Sequence, residues 1–230
     1  MNQSHGYILN RRPFRESSFL VDIFTEDYGR ICCVARPAKK RGKILKGNLE
    51  PFRYNYFQWV GKGDVQTLTE ADERGRHTIP PSELMLGLYL NELILQLVRQ
   101  QNPIPELFSA YKATLHKLGD PMINKHIMMR YELYFLATLG YPLQLQTDEA
   151  IIPEMRYLLS RDQGLVEMKE FYEEGQSLLN SQFITGTLLI ALKDLKSMEE
   201  RHWQQLRCFL DVTFQSLAPK TIHSRKLLKL

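Results

Sequence analysis

The chain has 230 residues, 43% hydrophobic and 24% charged, and carries a formal net charge of +4 at pH 7. This composition is typical of a folded soluble protein, and three cysteines are too few for a disulfide framework. The charge is uneven: residues 1–80 carry 14 Lys and Arg against 9 Asp and Glu, whereas residues 81–230 carry 16 against 17. The basic excess therefore lies in the N-terminal third, where it serves either solubility or a polyanionic partner.

The N-terminal sequence lacks the apolar core of a signal peptide. No apolar run reaches the length of a membrane span, because Asn91, Glu92 and Gln96 interrupt the longest candidate. We therefore expect a soluble protein of the cytoplasm, associated with the nucleoid if its partner is DNA. Cys32 and Cys33 are neighbours in a predicted strand, and we interpret them as small apolar residues.

The N-terminal third has the pattern of short strands separated by turns. Five strands are predicted: Tyr7–Leu9, Ser18–Phe24, Arg30–Arg36, Phe52–Val60 and Val65–Thr69. Five short strands with a long connection after the third indicate a five-stranded antiparallel β-barrel of the oligonucleotide-binding (OB) type. An SH3-like barrel is the nearest alternative on strand count alone.

The connection after the third strand is strongly basic. No acidic residue lies between Arg36 and Lys46. The six cations of this segment are Arg36, Lys39, Lys40, Arg41, Lys43 and Lys46. Such a segment can contact several phosphates of a nucleic acid. In the strand that follows, Tyr54 and Tyr56 share one face and could stack on bases, unless that face is the barrel core. We predict that the opposite face, with Phe57 and Trp59, points into the barrel.

After Pro80 the sequence is predicted to be helical. Residues 83–101, capped by Ser82, are apolar on nearly every side, which is typical of a helix in the middle of a bundle. Further helices are expected at 106–118, from Asp120 to Leu139, at 188–192 and at 198–217, with a possible helix over 148–160. The expected fold is thus α+β and multidomain, with an OB domain at 1–79 and a mainly helical domain at 80–230.

The sequence offers no catalytic or metal-binding pattern. It contains no nucleophile elbow, phosphate-binding loop, dinucleotide-binding glycine motif or zinc-protease helix. Its six histidines are scattered, and none has a spacing to Cys, Asp or Glu that specifies a metal site. We therefore predict no enzymatic activity, no cofactor and no metal.

Six blocks, in this order, resemble the RecO family of bacterial recombination mediators. The first and second are YILNRRPFRESSFLVDIFTEDYGR at 7–30 and LKGNLEPF at 45–52. The third and fourth are GLYLNEL at 87–93 and RYELYFLATLGY at 130–141. Phe183–Gly186 and Ser224-Arg225 agree with later blocks.

The resemblance implies an OB domain, a helical body and no catalytic turnover. It also implies binding of single- and double-stranded DNA, annealing of complementary strands, and assistance in loading RecA onto DNA coated by single-stranded DNA-binding protein (SSB). Its implied protein partners are RecR and the acidic, hydrophobic-ended tail of SSB. We add Arg12, in the first block, to the candidate DNA contacts.

Many members of this family carry a four-cysteine zinc module after the Gly-Tyr segment. This sequence has no cysteine between Cys33 and Cys208. We therefore expect residues 144–180 to be a degenerate, zinc-free counterpart of that module.

A groove for the SSB tail would need apolar walls and a cation for the terminal carboxylate. The candidates on the predicted third helix are Lys125, His126, Met129, Arg130 and Tyr134. The alternative is that these are ordinary charges on a helix surface.

Two other functions stay open. One is an OB-containing RNA-binding or ribosome-associated adaptor, which the charge pattern alone would equally allow. The other is a hydrolase with a cryptic site, which predicts turnover or metal dependence.

Overall fold

The structure, a computed structural model, describes residues 1–36, 49–120, 126–143, 150–160, 164–168 and 183–227. The chain divides into two compact units, one of Met1–Lys125 with Pro219–Leu230 and one of His126–Ala218. The predicted boundary after residue 79 marks the change from strands to helices along the chain. In space, the two helices that follow it group with the strands.

Five strands close into a barrel in the order β1-β2-β3-β5-β4, as predicted for an OB-type domain. They are β1 (Asn2–Phe14), β2 (Ser18–Thr25), β3 (Gly29–Ala35), β4 (Arg53–Val60) and β5 (Val65–Arg76). The barrel is not wholly antiparallel, because β3 and β5 pair in parallel. A closed ring of five strands cannot alternate direction all the way round, so one pair must be parallel.

Strand β1 is much longer than the predicted Tyr7–Leu9. Its first half pairs with β4 and its second half with β2, with a register shift between Ile8 and Asn10. The stretch Asn10–Pro13, expected to be a turn, is part of this second half. Because Asn10, Arg11 and Arg12 are polar, the alternation of apolar residues does not predict this part of the strand.

The inside of the barrel is filled by alternate side chains of all five strands. Phe57 and Trp59 are fully buried there, which confirms the predicted inward face of β4. The other members of this core are Ile8, Val21, Ile23, Ile31, Cys33, Ala35, Leu49, Leu68 and Ala71.

Two helices cover part of the outer face of the barrel, α1 (Leu84–Leu97) and α2 (Pro105–Leu118). The outward-facing rings of Tyr7 and Phe24 lie 5.8 and 5.3 Å from Phe108 of α2, centroid to centroid. Helix α1 packs against β1 as well as against α2, so the expectation that it lies in the middle of a helical bundle is wrong. Its apolar surface is buried partly against the barrel, which a hydrophobicity pattern cannot distinguish from a bundle.

A buried amide joins the barrel to both helices. Asn91 of α1 donates to the Leu9 carbonyl at 2.9 Å and accepts from the Tyr111 hydroxyl of α2 at 2.6 Å. Leu9 lies at the register shift of β1, so its carbonyl is available for this bond. One side chain thereby fixes three elements together.

The C-terminal segment returns to the first unit. The 3₁₀-helix Ser224–Leu227 begins at the Glu92 carboxylate of α1, which accepts from the backbone N–H groups of His223 and Ser224 at 2.8 Å each. A carboxylate is favourable at that position because the first N–H groups of a helix have no internal partner.

The second unit combines helices with a small sheet of order β7-β6-β8. Its elements are α3 (Ile127–Thr138), β6 (Arg156–Ser160), β7 (Gly164–Glu167), β8 (Phe183–Thr185), α4 (Gly186–Ala191) and α5 (Glu200–Leu217). Glu132 of α3 accepts two hydrogen bonds from the Arg207 guanidinium of α5, at 2.5 and 2.7 Å.

The predicted helix boundaries are confirmed for α2, α4 and α5 within two residues. The helix proposed over 148–160 is wrong where the structure describes it, because Arg156–Ser160 is strand β6. The Ser82 cap is also wrong, since α1 begins after Glu83, which makes no capping side-chain hydrogen bond. The end of α3 is as predicted, with Gly140 at a φ of +91° just beyond it.

The Asn91 bridge gives a first prediction. Replacing Asn91 by Leu removes the donor to the Leu9 carbonyl and the acceptor of the Tyr111 hydroxyl in a buried site, and should lower the free energy of unfolding by about 3 kcal/mol. Tyr111→Phe removes only one bond and should cost about 1 kcal/mol. Urea unfolding can be followed by Trp59 fluorescence in a Trp203→Phe background, and equal stability of all variants would contradict the bridge.

Candidate nucleic-acid interface

The outer face of β4 carries the two tyrosines that were predicted to meet bases. Tyr54 and Tyr56 are partly exposed, whereas Phe57 beside them is buried in the barrel. The register places them opposite Tyr7 and His5 of β1, so these four outward side chains are cross-strand neighbours.

Two side chains contact the Tyr54 ring. The His5 ring stacks on it with centroids 5.3 Å apart and an interplanar angle of 13°. The Lys112 ammonium of α2 lies 3.9 Å from the Tyr54 centroid, which is a cation–π contact. His5 and Lys112 thus cover part of the Tyr54 ring.

Tyr56 is also partly exposed. His5 meets it in an edge arrangement at 5.3 Å, and its hydroxyl donates to Gln3 at 2.7 Å. On its other side the Arg74 guanidinium lies 5.8 Å from the ring centroid. We call this row of five residues the β1–β4 strip; its members are Arg74, Tyr56, His5, Tyr54 and Lys112.

Carboxylates border one end of the strip. Asp72 lies 3.0 Å from Arg74. Glu73 accepts from Arg53 at 2.6 Å and from Arg76 at 2.7 Å. The hydrogen bond from Arg53 is the main reason why the pKa of Glu73 is lowered. Lys112 has no carboxylate salt-bridge partner among the described residues, although Glu26 follows β2 close to His5 and Tyr7.

Arg12 and Arg36 lie on a different part of the barrel. Arg12 of β1 pairs with Leu20 of β2, and Leu20 pairs with Val34 of β3. Arg36 follows Val34 by two residues. Both arginines are exposed near the same end of the β1–β2–β3 face. Along β1, Arg12 is five residues from Tyr7, or roughly 16 Å. The predicted DNA contacts thus fall into at least two groups.

The remaining predicted contacts lie outside the described residues. Residues 37–48 include Lys39, Lys40, Arg41, Lys43 and Lys46. They connect Arg36, at the end of β3, to the short stretch before β4. The interpretation of this basic segment therefore rests on its sequence and on the positions where it leaves and rejoins the barrel.

Four of the five residues proposed for the SSB tail lie in the described part of the second unit; Lys125 does not. His126 stacks on Trp203 with centroids 4.0 Å apart, and the Arg130 guanidinium lies 5.9 Å from the same indole. Met129 is buried and Tyr134 is 44% exposed. Trp203 is only 3% exposed, so its indole is buried against these side chains.

Next to Tyr54 and Lys112 of the strip, two side chains have shifted pKa values. Burial, with His116 and Lys112 adding to it, lowers the pKa of His77. Burial also raises the pKa of Tyr7, whose hydroxyl lies 2.9 Å from Nε2 of His77. Since Tyr7 keeps its proton and His77 is neutral near pH 7, we assign the O–H as donor and Nε2 as acceptor.

The cysteines behave as the sequence indicated. Burial raises the pKa of Cys33 to about 12 and that of Cys32 to about 11, so both stay protonated thiols at neutral pH. Within the described ranges no cluster of three or more His, Cys, Asp or Glu side chains could hold a metal ion. No helix in this part of the chain is long and apolar enough to cross a membrane.

Comparison with known proteins decides the family. Residues 1–74 match the model for the N-terminal part of recombination protein O, and residues 81–151 match that for its C-terminal part. The DNA repair protein RecO of Actinobacillus pleuropneumoniae serotype 5b is 31% identical over 98% of this chain and 94% of its own length. This chain belongs to the RecO family.

Other RecO proteins show the same relation over shorter stretches. The DNA repair protein RecO of Chromobacterium violaceum is 36% identical over 75% of this chain and 72% of its own length. That of Halorhodospira halophila is 36% identical over 71% of this chain and 72% of its own length. The resemblance found from the six blocks is thereby confirmed.

The shifted pKa of His77 predicts a pH effect on stability. Its pKa in the folded state lies below the unfolded value of 6.5, so the unfolded chain takes up the proton first as the pH falls. The His77 contribution is therefore complete above pH 6.5 and is lost as the pH drops below it. Unfolding free energies at pH 7.5 and 5.5 should differ more for wild type than for His77→Gln, which keeps a hydrogen-bond acceptor. Identical pH dependence of both proteins would contradict the assignment.

Proposed function

We propose that this RecO-family chain is a non-enzymatic DNA-binding mediator in DNA repair. It binds single- and double-stranded DNA, anneals complementary strands and, with RecR, assists RecA loading on SSB-coated DNA. Its place of action is the nucleoid in the cytoplasm. One observation carries the proposal: a family-matched OB-type barrel has a basic segment between β3 and β4 and cations beside exposed rings on β4.

The basic segment supplies electrostatic capture of the DNA backbone. Six cations from Arg36 to Lys46 without an intervening acid can displace the condensed counterions of several phosphates. With about five contacts, single-strand affinity should fall with salt at a logarithmic slope near −3.5. Binding of this kind is independent of sequence and reduces repulsion between two backbones, which is what strand annealing requires.

Recruitment to SSB-coated DNA would use the second unit. The Arg130 guanidinium and the His126 ring lie beside the Trp203 indole. The SSB tail of the family is acidic and ends in apolar residues, so the exposed Arg130 cation and the exposed Tyr134 ring one helical turn later would be complementary to it. The Glu200 carboxylate lies 3.8 Å from Nε2 of His126 and reduces the positive potential around this ring.

The basic segment is tested by neutralising four of its cations. Lys39→Gln, Lys40→Gln, Arg41→Gln and Lys43→Gln together should weaken single-strand binding at least tenfold and bring the salt slope from about −3.5 toward about −0.7. A matched control neutralises four exposed cations elsewhere, at Lys193, Lys196, Arg201 and Lys220. Fluorescence anisotropy at several salt concentrations gives both quantities. Wild-type affinity and slope in the basic-segment variant would exclude it as the DNA site.

The same proteins should be compared in an annealing assay with two complementary oligonucleotides. Annealing by wild type should persist in EDTA and without nucleotide, and should fall in the basic-segment variant. Dependence on a metal, or hydrolysis of any strand, would contradict the non-enzymatic proposal. A clear preference for RNA over DNA of equal length would instead favour an RNA-binding adaptor.

The SSB-tail site has its own test. Arg130→Ala should weaken binding of a peptide with the SSB-tail sequence about fivefold, because an exposed ion pair contributes up to about 1 kcal/mol. Lys193→Ala, an exposed cation outside the site, is the control. Isothermal titration calorimetry measures the affinity, and equal affinity of both variants and wild type would exclude Arg130 as a tail contact.

A further inference from the structure

The β1–β4 strip joins elements that are far apart in sequence into one row on the barrel surface. It takes His5 from β1, two tyrosines from β4, Arg74 from β5 and Lys112 from α2. All four elements belong to the first compact unit. Its three rings are consecutive, with centroids 5.3 Å apart. A cation stands at each end, Arg74 5.8 Å from the Tyr56 centroid and Lys112 3.9 Å from the Tyr54 centroid.

The strip lies away from the face that OB domains generally use. OB barrels bind oligonucleotides mainly across strands 2 and 3 and the adjoining loops. Here the start of β3 is covered by the segment after α1: Arg30 donates to the Val98 carbonyl at 3.0 Å, and the Gln101 N–H donates to the Arg30 carbonyl at 2.8 Å. The outer face of β1 and β4 beyond α2 stays accessible, with His5 and Tyr56 partly exposed.

The chemistry of the strip suits an unpaired nucleic-acid strand. Exposed rings can stack only on bases that are not already stacked in a duplex, and base–ring stacking tolerates any sequence. Lys112 and Arg74, at the two ends of the row, are exposed and can each reach a phosphate. Asp72 reduces the field at Arg74, whereas His77 and His116, 6.2 Å apart, lie on the Lys112 side.

We propose that the β1–β4 strip is a second DNA contact surface, which binds single-stranded DNA through bases as well as phosphates. His5 and Tyr56 hold an unstacked base, Lys112 and Arg74 contact the backbone on either side, and Tyr54 supports His5 from beneath. The inference rests on the proposed DNA-binding function and adds a means of distinguishing single strands from duplex. The basic segment, being purely electrostatic, provides no such distinction.

Two variants test the contributions of the rings and of the charges separately. A ring variant, His5→Leu with Tyr56→Leu, keeps apolar bulk on both strands but removes the stacking surface. It should bind single-stranded DNA about tenfold more weakly than wild type, with duplex affinity and salt slope unchanged. The matched control, His5→Phe with Tyr56→Phe, keeps both rings and should bind single strands like wild type.

A charge variant, Lys112→Gln with Arg74→Gln, should reduce the single-strand salt slope by about 1.4, the value for two phosphates. All variants are checked by circular dichroism and thermal melting, and both affinities are measured by fluorescence anisotropy with a poly-dT oligonucleotide and a duplex of equal length.

The outcomes distinguish the strip from the wider function. If the ring variant binds single strands like wild type, or loses single-strand and duplex affinity equally, the strip proposal is overturned. In that case a loss of binding in the basic-segment variant would leave the proposed function standing. Failure of the wild-type protein to bind either form of DNA would overturn both.

Discussion

The architecture of the first unit depends on how helices are fastened to the outside of the barrel. Tyr7 and Phe24 point away from the barrel interior, and they are buried only because α2 covers them with Phe108 and Tyr111. The Asn91 amide then joins α1, α2 and the irregular point of β1 through two buried hydrogen bonds. Because an unpartnered polar group at such a site is costly, this arrangement admits one docking position for the helices.

That docking decides which barrel surface is left for a ligand. Helix α2 covers Tyr7 and brings Lys112 against Tyr54. One side chain of the helix thereby becomes part of the β1–β4 strip. The exposed remainder of β1 and β4 carries rings and cations, and the basic segment leaves the barrel at the end of β3, which lies between β2 and β5. A surface with separate electrostatic and stacking parts could capture DNA in any form and retain single strands for longer.

Much of this could be predicted from the sequence where the signal is local. Alternation placed Phe57 and Trp59 inside the barrel, and Gly140 marked the end of α3. The strip could not be found, because its members meet only through the β1–β4 register and the docking of α2, neither of which leaves a local pattern. Likewise, α1 has the composition of a bundle helix, and only the structure shows that it packs on a sheet. The family blocks succeeded because they combine many weak signals in a fixed order.

The central claim is that the basic segment and the β1–β4 strip contact single-stranded DNA. Lysine acetylation with mass-spectrometric readout, with and without a poly-dT oligonucleotide, tests it most directly. The account predicts slower acetylation of the basic-segment lysines and of Lys112 when DNA is bound, with Lys193 and Lys196 in the second unit unchanged. Equal acetylation rates of the basic-segment lysines and Lys112 with and without bound DNA would contradict it.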